Sequence, residues 1–281
     1  MSGTEQEKDK HMPKNIHLIT IDPQNDFCIK TGPGGEAGAL VVAGADADMT
    51  RLGAFIAKHQ KRLSEIHCTL DSHQVIHIAH PIFWVNSKGE HPNPFTLISN
   101  DDVKNGVWRA FNPRWQGRAL NYSEQLAKNG RYPLVIWPVH CVIGSWGHSI
   151  VPVVQKALQE WEAATFNRVN FVAKGSNLFT EHYSDVQADV PDDQDPSTKL
   201  NTALIDALNE ADEIVITGEA LSHCVANTIT DIANKFGDDN VKKFVLLEDT
   251  ASNVTGFEKL GRDFVTNMVK KGMRVTTTRD Y

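Results

Sequence analysis

The chain has 281 residues, with 28 basic and 35 acidic side chains and a net charge of −7. That length suits one large domain with an ample core, and the 41% apolar and 22% charged content is ordinary for a globular protein. The acidic balance and the lack of a basic stripe argue against a nucleic-acid binder, and no apolar run approaches the roughly 18 residues of a membrane span. Four cysteines are too few for a disulfide scaffold and read as free thiols in a reducing compartment. The expected partner is therefore a small molecule rather than nucleic acid or membrane, with homo-oligomer formation left open. The expected location is the cytoplasm, because the polar stretch Met1 to Lys14 has no apolar centre of a signal peptide.

Residues 1–14 read as a disordered tail, and residues 15–281 as a single domain. Asn15 to Ile21 is a buried-type strand that ends at Asp22, followed by Pro-Gln-Asn-Asp-Phe. Thr31 to Gly38 is a Gly-rich loop without the Lys-Ser/Thr ending of a phosphate-binding loop. Met49, Leu52, Phe55, Ile56 and Leu63 predict a helix over Ala45 to Arg62. Ser64 to Leu70 is a second strand, ending at Asp71. Residues 84–131, rich in Asn, Pro, Gly and Trp, read as an insertion or lid with a short helix near Ser123 to Lys128. Gly147 to Trp161 is amphipathic, and Asn170 to Ala173 is a third strand, ending at Lys174. A helix over Thr198 to Leu208 leads into the strand Glu213 to Thr217. A helix then starts close to Cys224, since Val225, Ile229, Ile232 and Ala233 recur at helical spacing. Lys243 to Glu248, a helix over Phe257 to Lys271 and a strand over Met273 to Thr278 complete the chain. Short apolar strands alternating with helices predict an α/β fold, a three-layer α-β-α sandwich on a central, mostly parallel six-stranded sheet with Rossmann-like topology.

Asp22, Asp71, Lys174 and Cys224 all stand at the C-terminal ends of predicted strands, where open α/β sheets form their sites. Taken singly, each has a plain structural reading: a turn cap for Asp22, a surface lysine for Lys174, a small buried hydrophobe for Cys224. Together they make chemical sense. A thiol needs its proton removed or its thiolate stabilised before it attacks. Asp22 offers a base, Lys174 a cation, and the helix start a positive dipole end favouring thiolate. A second cluster, Asp71-Ser-His73 with His77 four residues on, has the donor types of a divalent-metal site. His80 and His91 offer further candidates, and spacing alone does not bring in His140.

Five segments, Asp22-Pro-Gln-Asn-Asp-Phe-Cys, Asp71-Ser-His-Gln-Val-Ile-His, Trp137-Pro-Val-His-Cys-Val, Ala173-Lys-Gly and Gly218-Glu-Ala-Leu-Ser-His-Cys-Val, together resemble the nicotinamidases of the isochorismatase-like cysteine hydrolase superfamily. The resemblance implies an isochorismatase-like fold and a catalytic triad of Asp22, Lys174 and Cys224. It implies metal ligands Asp71, His73 and His140, with His77 as a fourth in some members, and a divalent metal, zinc first, with iron or manganese as alternatives. It implies a non-proline cis peptide at Glu219–Ala220, an oxyanion hole from the amides of Ala220 and Cys224, and aromatic walls at Phe27 and Trp137. The implied reaction hydrolyses nicotinamide to nicotinic acid and ammonia through a thioester, in NAD salvage. A related cysteine amidase acting on another small amide or ureide, and a catalytically silent scaffold of the same fold, are the alternatives. The segment between Asp71 and His140 is longer than in compact bacterial members, and Ser72 stands where an aromatic residue is common. Both departures bear on which amide is cleaved.

Overall fold

The computed structural model describes residues 14–281, so the expected disordered tail, apart from Lys14, lies outside the described residues. The chain begins with β1 (Ile16–Ile21), a single turn α1 (Asn25–Cys28), α2 (Ala45–His59) and β2 (Leu63–Asp71). A long excursion follows, with β3 (Trp84–Val85), β4 (Leu97–Ile98), α3 (Asn100–Lys104), β5 (Arg109–Ala110), α4 (Gln116–Lys128) and β6 (Leu134–Val135). The remainder alternates: α5 (Pro152–Thr165), β7 (Asn170–Lys174), α6 (Thr202–Asn209), β8 (Glu213–Gly218), α7 (Ala226–Phe236), β9 (Phe244–Leu247), α8 (Glu258–Lys270) and β10 (Arg274–Thr276). The six strands expected from the sequence form one sheet in the order β10-β9-β8-β1-β2-β7, with every pairing parallel. Among the described residues, no helix is long and apolar enough to cross a membrane.

β1 shows why its sequence is apolar throughout. Ile16 and Leu18 enter the core shared with α2 and α5, while Ile19 and Ile21 enter the core shared with α6, α7 and α8. A strand buried on both faces has no polar side to alternate with. On α2 the buried stripe is Ala45, Met49, Leu52, Phe55 and Ile56, and it packs against Val154, Ala157, Leu158 and Trp161 of α5. Each such fully buried aliphatic side chain contributes about 1.5–3 kcal/mol. Helix α5 starts at Pro152, later than the amphipathic pattern from Gly147 suggests. The backbone before it is committed elsewhere: Gly147 and Ser149 accept from Asp26 and Asn25, and Val151 donates to Pro23. Pro152, which has no N–H to lose, is well suited to open the helix.

Residues 84–131 hold more structure than one short helix. Together with β6 they supply two small strand pairs, and with α3 and the full-length α4 they help build a third apolar cluster around Phe83, Trp84, Tyr122 and Trp137. The sheet places the site. From β1 the chain steps outward through β2 to β7, then returns to β8 on the other side of β1 and steps outward again. The crevice at the carboxyl ends of β1 and β8 is thus the topological switch point.

Candidate active site

Parallel register brings the candidate residues level. Ile21 pairs with Gly218 and Asp71 pairs with Lys174, so Asp22, Asp71 and Lys174 end neighbouring strands at one height. Gly218 turns the chain at φ +114°, where a Cβ would lie 2.1 Å from the Ile21 carbonyl oxygen. The Glu219–Ala220 peptide is cis, as expected. Leu221–Val225 form one wide turn, so Cys224 stands just before α7 rather than inside its first turn. His223 and Val225 both donate to the Ala220 carbonyl, while the Ala220 N–H has no acceptor among the described residues. Cys224 and the other three cysteines are free thiols.

Lys174 links the site. Its Nζ lies 2.9 Å from Asp22 Oδ2, 3.2 Å from Asp71 Oδ1 and 3.6 Å from Cys224 Sγ. Burial opposes its charge, but Asp22 and Asp71 outweigh burial and hold the ammonium well above its ordinary range. Asp22 is further fixed by Thr69, whose hydroxyl donates to Oδ1 at 2.7 Å and accepts the Asp22 N–H at 3.0 Å. Burial opposes the dipole that favours thiolate here. Burial pushes the Cys224 thiol well above its usual range, with Lys174 pulling only in the opposite direction. Burial thus favours the thiol form, which a base would have to ionise.

The candidate metal donors converge beside Lys174. Asp71 Oδ2 lies 2.9 Å from His73 Nε2 and 3.2 Å from His140 Nε2. Ligand atoms on a tetrahedral zinc stand roughly 3.3 Å apart, given bonds of about 2.0–2.1 Å. The Nδ1–H of His73 donates to Gly175, and that of His140 to Pro138, so both Nε2 lone pairs face Asp71. His80 joins them: its Nδ1–H donates to Val75, and its buried Nε2 has no partner. One nitrogen from each of His73, His80 and His140 lies within 4.8 Å of the others. His77 does not fit as a ligand, although it too lies close to His73 and Glu181. Its Nδ1 accepts the Ala79 N–H and its Nε2–H donates to Thr180, so both nitrogens are used. His91 donates to the Trp84 carbonyl in the excursion, away from this cluster. The four donors Asp71, His73, His80 and His140 suit a divalent cation.

Phe27, Leu40, Val42, Trp137, Tyr183 and Val254 wall a largely apolar cavity over Cys224. Phe27 and Trp137, expected as aromatic walls, both line it. Residues 84–131 contribute no lining; Phe95 instead packs edge-on behind Trp137 at 5.8 Å. The residues that sequence reasoning missed are mostly supports. Gln24 clamps Asp71, accepting its N–H and donating to its carbonyl, both at 2.8 Å. Asp26 accepts the N–H groups of Cys141 and Ala39, holding the His140 and Leu40 loops together. Glu181, His182 and His223 also line the cavity, and burial lowers His223 to about 4, keeping it neutral. Gln24 and Asp26 lay inside the first quoted segment, but nothing in their spacing announces these partners.

No protein-family model matches the sequence, and no curated protein matches it. Solved structures do. The chain is similar to an Acinetobacter baumanii nicotinamidase/pyrazinamidase, at 21% identity over 96% of this chain and 99% of that one, with a TM-score of 0.62. It is similar to the yeast nicotinamidase Pnc1p bound to the inhibitor nicotinaldehyde, at 19% identity over 93% and 99%, with a TM-score of 0.63. It is also similar to a Pyrococcus horikoshii pyrazinamidase in complex with zinc, at 20% identity over 94% and 99%, with a TM-score of 0.54. The fold of this chain is the one that these nicotinamidase and pyrazinamidase structures share, along nearly their full lengths.

Proposed function

We propose that the protein hydrolyses nicotinamide to nicotinic acid and ammonia, as a cytoplasmic enzyme of NAD salvage. The observation that carries this reading is the position of Lys174, whose ammonium contacts Asp22, Asp71 and the Cys224 sulfur at the floor of an aromatic-walled cavity. A scaffold has no need to bury a lysine, two carboxylates and a thiol together. Phe27 and Trp137 hold the ring between them. Asp22 takes the Cys224 proton, and the sulfur attacks the amide carbonyl. The amides of Ala220 and Cys224 receive the developing oxyanion. Asp22 returns the proton to the leaving nitrogen, ammonia departs, and a thioester to Cys224 remains. Asp22 then takes a proton from a water that attacks the thioester, and nicotinic acid leaves as the thiol re-forms. Asp71, His73, His80 and His140 would hold a divalent metal, zinc first, with iron or manganese suited to the same donors. When bound, that metal would anchor the pyridine nitrogen.

The test is ammonia release from nicotinamide, beside pyrazinamide, small ureides and aliphatic amides. Cys224→Ala should abolish release and retain the bound metal; unchanged turnover sinks the nucleophile assignment. No response to nicotinamide with release from another substrate makes the protein a cysteine amidase of different specificity.

A further inference from the structure

We propose that His17, Glu65 and His67 form a second divalent-cation site, of the zinc class, at the end of the sheet remote from Cys224. The parallel register pairs His17 of β1 with Glu65 of β2, which puts their side chains on the same face. His67, two residues beyond Glu65, returns to that face. The three ligand atoms close a triangle. His17 Nδ1 lies 3.2 Å from His67 Nε2 and 3.9 Å from Glu65 Oε2, and His67 Nε2 lies 3.7 Å from the same oxygen. A tetrahedral zinc needs edges of roughly 3.3 Å. A cation at the centre therefore requires only a few tenths of an ångström of closure, and the Glu65 side chain is free to supply it at 54% exposure.

Both imidazoles are buried, at 1% and 0% exposure, so they are held in place rather than splayed in solvent. Asn170 on β7 pairs with His67 and sets its amide 3.0 Å from His67 Nδ1. As placed, the Asn170 amide nitrogen donates to Nδ1, and the Nε2–H points at His17 Nδ1; with the amide flipped, its oxygen holds the Nδ1–H and frees the Nε2 lone pair, the outer-shell arrangement that ligating histidines use. Carboxylates of Glu210 and Asp212 also act on His17, adding negative potential. A cleft bordered by Ser64, Glu65, Arg168 and Asn170 opens beside the triad and gives an entry path. His17 to Asp22 is five strand residues, about 16 Å, so this cation is separate from the one held by Asp71. Its place between β1 and β2 makes it a clamp on the strand that carries Asp22.

Metal content of the full chain tests this. Protein stripped with chelator and titrated with zinc should bind two equivalents. Glu65→Gln, an exposed and nearly isosteric change, should bind one tightly and weaken the other at least about tenfold. His67→Gln should do the same, and nicotinamide hydrolysis by Glu65→Gln should stay within twofold of wild type. Saturation of the wild type at one equivalent overturns the proposal. So does unchanged binding of two equivalents by Glu65→Gln.

Discussion

Asp22→Asn isolates the base in the proposed reaction. The substitution keeps shape and removes a charge. Thr69 can still donate to the Asn oxygen as it does to Asp22 Oδ1 at 2.7 Å. Lys174 keeps Asp71 at 3.2 Å, so no cation is left buried alone and the fold should survive. Chemistry should not. An ordinary thiol is about 3% thiolate at pH 7, and burial pushes Cys224 well above that range, so its resting thiolate is scarcer still. Removing a positioned base costs about 10²–10⁴ in rate, or roughly 3–6 kcal/mol of barrier. The residual rate should then follow the thiolate fraction, rising about tenfold per pH unit from pH 6 to 9 after subtracting the Cys224→Ala background. The assay is initial ammonia release from nicotinamide across that range, with urea melts to verify folding. A folded Asp22→Asn enzyme within threefold of wild type, or one with a flat residual pH profile, refutes the assignment of Asp22 as base.

His80→Ala should lower bound zinc by at least about tenfold while His77→Ala leaves it nearly unchanged, because the free nitrogen belongs to His80; inductively coupled plasma mass spectrometry on dialysed protein reads this, and the reverse order refutes it. Gly175→Ala puts a Cβ 2.7 Å from Asp71 Oδ1 and 2.8 Å from His73 Cε1, at φ +82°. It should cost about 1–2 kcal/mol of stability and about 10–100-fold in zinc affinity, and unchanged zinc binding counts against the metal set. Stability should fall as pH drops from 7 to 5. Burial holds His80 and His182 down to about 3, and His67 and His223 down to about 4, so the unfolded chain takes up protons below its ordinary histidine range while the folded chain does not. Burial also raises Asp185, Asp189 and Glu219, and the Asp71 carboxylate outweighs burial to raise His73, all acting in the opposite sense, but His17, His59, His77 and His148 are lowered too and the lowered histidines outnumber them. A urea midpoint at pH 5 equal to or above that at pH 7 refutes this.

By itself the sequence determined the sheet and the ends of its strands. Six short apolar runs between amphipathic stretches admit one economical arrangement, a doubly covered parallel sheet, because a strand apolar on both faces must be covered on both. Asp22, Asp71 and Lys174 follow directly, as the first reactive residues after those runs. Side-chain roles were legible only where backbone geometry is regular. His77 was the nearer partner of His73 by spacing, but residues 72–80 are loop, where intervals of four carry no meaning, and the structure turns His80 inward instead. The ionisation of Cys224 is not legible for a related reason. A dipole can be inferred from a helix start, whereas desolvation depends on every neighbour that excludes water, and here burial opposes the dipole. Residues 84–131 read as an insertion or lid because they are irregular, yet they contribute to a core of their own. Gln24 on Asp71, Asp26 across to Cys141, and His17 against Glu65 and His67 exist only in three dimensions. Those contacts join residues 47 to 115 positions apart, with His17 and Glu65 at a similar remove, and only the folded chain decides that they meet.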